Sequence, residues 1–178
     1  MRHQLFNAIV ISVNTTGSIS VIAKGAGFLD DPAHPELDSI FFEVGTLNTA
    51  LNGDTIEARI SERKNHKGVM ERVGVVTRII ERAKTSFVGT VDTKPAGTEK
   101  GDVILIPDDK RMYTSILIPA AHAAGLTDGL KVYAELDYSS WTDQNKRPTG
   151  KVLRIIGQKG VNDVEMESIV LEKGFAVG

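Results

Sequence analysis

The sequence contains no cysteine, one tryptophan and few aromatic residues of any kind. The absence of cysteine excludes disulfide bonds, cysteine-ligated zinc and a cysteine nucleophile, and it suits a reducing cytosol. No apolar run approaches the roughly 18 to 20 residues that a membrane-spanning helix needs. The N-terminal stretch MRHQLFNAIVISV is not typical of a secretory signal, because Asn7 and Ser12 interrupt its short apolar run and no small-residue cleavage pattern follows. The sequence therefore predicts a soluble, cytoplasmic protein with no membrane partner.

A large excess of one charge sign is also missing, because the formal net charge of the 178 residues is only −2. The charges are unevenly spread: residues 1–58 hold 2 basic and 7 acidic residues, residues 59–100 hold 10 and 5, and residues 101–178 hold 9 and 11. The middle segment is therefore the basic one, and its run comprises Arg59, Arg63, Lys64, Lys67, Arg72, Arg78, Arg82 and Lys84. Such a stripe suits a polyphosphate partner, although most basic runs are simply solvated faces.

What the sequence does contain is an internal repeat at an offset of 76 residues. The segment IFFEVGTLNTALNGDTIEARI, from Ile40, aligns without a gap with ILIPAAHAAGLTDGLKVYAEL, from Ile116. The same offset pairs Gly53 with Gly129, Ile56 with Val132, Ala58 with Ala134, Ile60 with Leu136 and Gly74 with Gly150. A solenoid repeat spans only about 20 to 50 residues. The longer period predicts two tandem domains.

The periodicity within each repeat is that of β-strands. In DTIEARI, residues 54–60, the apolar side chains alternate with polar ones, and VYAEL repeats the pattern. Turn signals such as NTTG, NGD and PDDK separate these runs. Five or so short strands per repeat predict an all-β protein of two tandem OB-fold barrels, each a five-stranded Greek key. We expect an N-terminal arm at 1–16, a first domain at 17–82 and a second at 83–158.

The remaining residues, 159–178, predict a short C-terminal helix. The stretch VNDVEMESIVLEKGF offers an Asn or Asp cap, an apolar face of Met166, Ile169 and Val170, and Gly174 as the end of the helix. In a longer protein, this segment would lead into a further domain.

No catalytic or metal-binding constellation is predicted. The doublets Asp30-Asp31 and Asp108-Asp109 stand in turn sequences, where an aspartate bonds its own backbone. The four histidines show no ligand spacing, and GAGFLD lacks the third glycine and the βαβ context of a dinucleotide site. The chain itself therefore predicts no enzyme and no cofactor.

Several motifs together resemble a known family. KGAGFL, IFF, LNTALNGDTIEARI, GVVTRIIERAKTSFVGTV, IPDDKRMYTSILIP, GKVLRIIG and MESIVLEKGF are similar, in sequence and order, to the paired N-terminal cold-shock domains of bacterial ribonuclease R, in the ribonuclease II family. The resemblance implies barrels of the cold-shock type that bind single-stranded RNA. It also implies a 3′-to-5′ exoribonuclease as the full-length protein. Its catalytic domain, which holds magnesium in that family, has no counterpart in this chain and would be a partner within the same polypeptide.

The resemblance also implies a binding surface in the first barrel. By position, Phe28 in KGAGFL and Phe41 in IFF match the family's base-stacking aromatics, with Lys24 at the head of the motif. The two glycines of KGAGF predict a close approach of the backbone to a ligand. Three positions depart from the usual cold-shock pattern, since Ala26, Glu43 and Val44 replace two aromatics and a histidine. We therefore expect a thinned stacking platform.

The second barrel offers a different set of candidate RNA-binding residues in its loops: Lys110, Arg111, Tyr113, Trp141, Lys146 and Arg147. Trp141 lies in the polar stretch YSSWTDQNKRP, which favours a partly exposed ring beside cations. The alternative is that Trp141 plugs the end of the barrel, and Phe87 is predicted to lie in the core. A different class of function also stays open, in which the two barrels dock partner proteins and bind no RNA.

Overall fold

The computed structural model describes residues 8–94 and 100–174, with side chains from Val13 onward. The chain forms two compact units: Met1–Ala83 together with Arg111–Tyr113, and Lys84–Lys110 together with Thr114–Gly178. The first unit thus ends one residue beyond the predicted boundary at 82. Residues 8–16, predicted as an arm, lie in the first strand of that unit.

The first unit contains six strand segments: β1 (Ala8–Ser18), β2 (Ser20–Val21), β3 (Gly27–Leu29), β4 (Ile40–Phe42), β5 (Thr55–Lys64) and β6 (Met70–Glu81). Their order in the sheet is β1-β5-β6-β4-β3-β2. Since β1 and β2 follow each other directly along the chain, the two ends of this order meet and the sheet curls on itself. The pairs are antiparallel except for β4 with β6, which join through the parallel pair Phe41 and Val73.

The second unit repeats this arrangement with β7 (Ser86–Asp92), β8 (Val103–Pro107), β9 (Ile116–Ile118), β10 (Leu130–Leu136) and β11 (Gly150–Gln158). The order is β11-β10-β7-β8-β9, and a parallel bridge from Leu117 to Thr149 connects β9 to the start of β11. Leu117 and Thr149 lie 76 positions after Phe41 and Val73, so the same parallel pairing occurs in both units. The predicted fold, two tandem OB barrels with a short C-terminal helix, is confirmed.

Alternating burial explains why these segments are strands. In β5 the side chains of Ile56, Ala58 and Ile60 are buried, and in β10 their repeat equivalents are buried in the same way. One face of each strand thus supplies the barrel core, and burial of its apolar area stabilises the fold.

Glycines at equivalent positions of the two repeats permit close packing in both barrels. A Cβ added to Gly74 would lie 2.5 Å from the Phe42 ring, and one added to Gly150 would lie 2.8 Å from the Glu135 carbonyl oxygen. Gly53 carries a φ of 88°, which places it in the left-handed region that glycine adopts without strain. The repeated glycines in the sequence therefore mark real geometric requirements.

The C-terminal helix, α1 (Asn162–Glu172), is bound to the second barrel by carboxylates. Glu172 accepts hydrogen bonds from the Val88 backbone N–H at 2.8 Å and from the Lys84 ammonium at 2.5 Å. Glu165 lies 3.0 Å from the buried Lys131 ammonium. The helix therefore has its neighbour within the same unit.

The predicted apolar face of α1 is wrong. Met166 and Ile169 are 60% and 56% exposed, whereas Ser168 and Leu171 are buried. The predicted Asn or Asp cap is also wrong, because Val161 occupies the cap position without a side-chain hydrogen bond. The side of α1 that faces the barrel holds Leu171 together with the carboxylates of Glu165 and Glu172, rather than Met166 and Ile169.

Candidate nucleic-acid interface

Two aromatic rings lie side by side on the outer face of the first barrel. Phe28 in β3 and Phe41 in β4 are direct cross-strand partners, and their ring centroids are 5.4 Å apart. Gly27 and Leu29 point inward, so the period of two places Phe28 outward, where it is 40% exposed. Phe41 is half-buried. The structure thus brings together the two aromatics that the sequence singled out, and Lys24 is exposed in the turn before β3.

The glycines of KGAGF serve packing within the unit. Gly25 has a φ of 88°, and a Cβ on Gly27 would lie 3.1 Å from the Ile19 side chain and from the Ser20 carbonyl oxygen. Both glycines are buried. The predicted close approach is therefore to the protein's own residues, because the turn from β2 into β3 lies against the core.

A groove of about 620 Å³ adjoins the ring pair. Its apolar lining includes four side chains that are all more than a third exposed: Phe28, Leu37, Val69 and Met70. Exposed apolar side chains gathered in one concave surface are typical of a binding site.

Most of the basic middle segment is neutralised within the protein. Arg63 pairs with Glu43 and Glu71, and its hydrogen bond is the main cause that holds the pKa of Glu43 below its usual range. The other pairs are Arg72 with Asp31, Arg78 with Glu57, Arg82 with Asp54 and Lys84 with Glu172. The basic run is therefore in large part a set of structural ion pairs.

Three cations of that run remain exposed without an ion pair among the described residues: Arg59, Lys64 and Lys67. Lys64 ends β5, and Lys67 lies in the turn that leads to β6. Asn65 and Val69, from the same hairpin, line the groove. Cations therefore flank the groove at the hairpin tip. The sequence indicated these lysines only as members of the charge run, and the hairpin places them beside the groove residues Asn65 and Val69.

Tyr113 and Arg111 do not lie on the second barrel as predicted, because residues 111–113 belong to the first unit. The Tyr113 hydroxyl donates to the Ala50 carbonyl oxygen at 2.8 Å, and its ring packs on the first core and next to Gly25. A tyrosine in a polar loop is typical of a surface group, but the hydroxyl and the ring of Tyr113 both contact the first unit.

The predicted exposure of Trp141 is wrong. The residue is only 4% exposed, and its indole N–H donates to the Lys146 carbonyl oxygen at 2.9 Å. In the loop between β10 and β11, Asp137 accepts hydrogen bonds from Ser139 and Ser140, and the Tyr138 ring lies 6.5 Å from the Trp141 ring. Trp141 is therefore buried in spite of its polar neighbours, so the alternative of a structural plug describes the ring better.

The remaining candidate RNA-binding residues of the second unit are exposed. Lys110 and Lys146 are exposed, and Arg147 donates from Nε to the Ser115 hydroxyl at 2.9 Å. At the 76-residue offset, Ile104 and Leu117 occupy the places of Phe28 and Phe41. The second barrel therefore lacks the equivalent ring pair.

Metal-binding groups and membrane-spanning helices were both sought in the described ranges. Residues 8–94 and 100–174 bring together no group of three or more His, Asp or Glu side chains that could hold a metal ion. Across the same ranges, no helix has both the length and the apolarity that a membrane crossing requires.

Comparison with known proteins gives consistent relatives for both units. Residues 17–76 match the Ribonuclease B OB domain, and residues 104–177 match the Cold shock domain. The ribonuclease R of Acidithiobacillus ferrooxidans is 27% identical over 159 residues, covering 89% of this chain and 34% of the relative. The chain thus spans about a third of the length of that relative.

Solved structures share the fold at low sequence identity. The apo form of Mycoplasma genitalium RNase R matches with a TM-score of 0.71 and 17% identity, over 92% of this chain and 24% of that one. The same enzyme in complex with ribose methylated single-stranded RNA gives the same values. Yeast Ssd1, a pseudonuclease, matches with a TM-score of 0.72 and 17% identity, over 91% of this chain and 25% of that one.

Proposed function

We propose, on the premise that the chain is a ribonuclease R-like pair of OB domains, that it binds single-stranded RNA and guides it to a catalytic domain of the same polypeptide. The whole protein would then be a cytoplasmic 3′-to-5′ exoribonuclease, with magnesium held by the catalytic domain. RNA-bound relatives support the proposal, since M. genitalium RNase R has been solved in complex with single-stranded RNA.

The observation that carries the proposal is the ring pair with its neighbouring cations. An exposed Phe28 ring can stack on an unpaired base, which contributes about 1 to 3 kcal/mol per base. Lys64 and Lys67 stand on the adjoining hairpin, where they can pair with phosphates. Such a site reads stacking and charge rather than a fixed sequence, so it tolerates many RNA sequences. The exposed Lys110, Lys146 and Arg147 would extend phosphate contacts in the second unit.

Fluorescence anisotropy with a labelled oligoribonucleotide tests the ring pair. We expect Phe28→Ala to weaken binding by roughly tenfold, because one stacking contact is lost. Ile80→Ala is the matched control, since Ile80 is 42% exposed in β6 but does not line the groove. Equal affinities of both variants and the unmodified chain would move the RNA site away from Phe28.

Salt dependence tests the phosphate contacts. On a single strand, log K falls with log salt by roughly 0.7 per phosphate neutralised. The double variant Lys64→Gln, Lys67→Gln should therefore lower the slope by about 1.4. No binding of the unmodified chain even at low salt would favour the alternative function, in which the barrels dock other proteins. The observation that favours this alternative is that most cations of the basic segment already pair with carboxylates of the same chain.

A further inference from the structure

The groove beside the Phe28 and Phe41 rings has polar side chains whose hydrogen-bonding roles can be assigned. The Ser39 hydroxyl donates to Asp30, and Arg72 donates to the Asp31 carboxylate at 3.0 Å and the Asp38 carbonyl oxygen at 2.7 Å. Glu71 accepts from Arg63 at 3.2 Å. The guanidinium groups of Arg63 and Arg72 are thus directed to protein acceptors.

Two further charged side chains line the groove. The carboxylates of Asp38 and Glu62 make no hydrogen bond or ion pair among the described residues, and both border the ring pair's groove. Ionised carboxylates only accept hydrogen bonds. A ligand that fills this groove is therefore favoured when it presents donors to these two side chains.

The charge pattern also sets where an RNA strand can place its parts. Phosphates are repelled by the carboxylates of the groove and attracted by Lys64 and Lys67 at the hairpin tip, which lies next to the groove residues Asn65 and Val69. The base would then stack against Phe28 and turn its hydrogen-bonding edge toward Asp38 and Glu62.

We infer that this groove selects bases that carry an exocyclic amino group, so that cytosine, adenine and guanine bind in preference to uracil, with Glu62 and Asp38 as the specificity-determining residues. The inference rests on the proposed function. The amino groups of cytosine and adenine donate hydrogen bonds, and carboxylates are suitable acceptors for them. Uracil instead presents carbonyl oxygens beside its single N–H, and a carboxylate repels those oxygens. A hydrogen bond to a charged group corresponds to roughly a tenfold preference.

The test compares labelled ten-nucleotide oligo(C), oligo(A) and oligo(U) with the full 178-residue chain at one fixed salt concentration. We expect oligo(C) and oligo(A) to bind about tenfold more tightly than oligo(U). In the double variant Asp38→Asn, Glu62→Gln the preference should shrink, because the neutral amides also offer donors to uracil oxygens. Glu81→Gln is the matched control, since Glu81 is exposed in the same barrel, ten residues along β6 from Glu71.

The outcomes separate this inference from the function on which it rests. Equal binding of all three oligomers, or an unchanged preference in the double variant, overturns the base selection while RNA binding stands. Binding of none of the oligomers at low salt overturns both. A preference that disappears in the double variant and persists in Glu81→Gln supports the assignment of the two carboxylates.

Discussion

Replacing Trp141 separates a structural role from a role in RNA binding. The side chain is 4% exposed, and its indole N–H donates to the Lys146 carbonyl oxygen at 2.9 Å. Removing a buried tryptophan side chain in Trp141→Ala typically costs about 3 to 5 kcal/mol, through lost burial and the remaining cavity. Trp141→Phe keeps much of the packing but loses the hydrogen bond, which is worth about 1 kcal/mol. The expected order of stability is therefore unmodified chain, Phe variant, Ala variant.

The assay is urea unfolding followed by circular dichroism, with RNA affinity measured on the folded Phe variant. Trp141 is the only tryptophan, so its fluorescence also reports the unmodified chain directly. The emission should be that of a buried indole and should shift to the red on unfolding. A Trp141→Ala variant that keeps its stability within about 1 kcal/mol but loses RNA affinity would refute the reasoning. It would show that the indole meets the ligand.

Three further predictions concern the helix, a close-packed glycine and catalysis. The Gly160 backbone N–H and then the Lys131 ammonium hold the pKa of Glu165 below its usual range. The stabilisation from this group is therefore present above the ordinary pKa of about 4.3 and is lost as the pH falls through the lowered one. Urea unfolding between pH 7 and pH 3 should show less loss of stability in Glu165→Gln, and an identical pH profile would contradict this. Gly74→Ala should cost about 1 to 3 kcal/mol in thermal unfolding, because its Cβ would meet the Phe42 ring at 2.5 Å. Unaltered stability would mean that the ring moves aside freely. Labelled RNA incubated with the chain and magnesium should stay full length on a gel, and shortened products would reveal a missed catalytic centre.

The fold could be predicted from the sequence because its signals are local and occur twice. Apolar alternation in 54–60 and in 132–136 predicted the strands, and glycines such as Gly53 recur where the barrel needs a left-handed turn. Phe28 and Phe41 were named from the family resemblance, and the period of the strand explains why Phe28 faces outward. These features depend mainly on residues that are close together in the sequence.

The errors occur where a side chain's partner is distant in sequence. Trp141 was predicted to be exposed because its neighbours are polar, yet those neighbours hydrogen-bond to each other and the ring is buried. Tyr113 was assigned to the second barrel, although its hydroxyl donates to Ala50, 63 residues away. The apolar pattern of α1 indicated the wrong face, because Glu172 binds the Val88 N–H, 84 residues away. No local pattern reports such a partner.

The attachment of α1 decides where the second barrel can be cut for separate study. A protein that stopped at the end of β11 would leave the Val88 N–H without its carboxylate and Lys131 with Asp108 alone. A second barrel expressed alone should therefore end after Glu172 rather than at Gln158. With that boundary, we expect the barrel to be stable and the amides of β7 to resist hydrogen exchange.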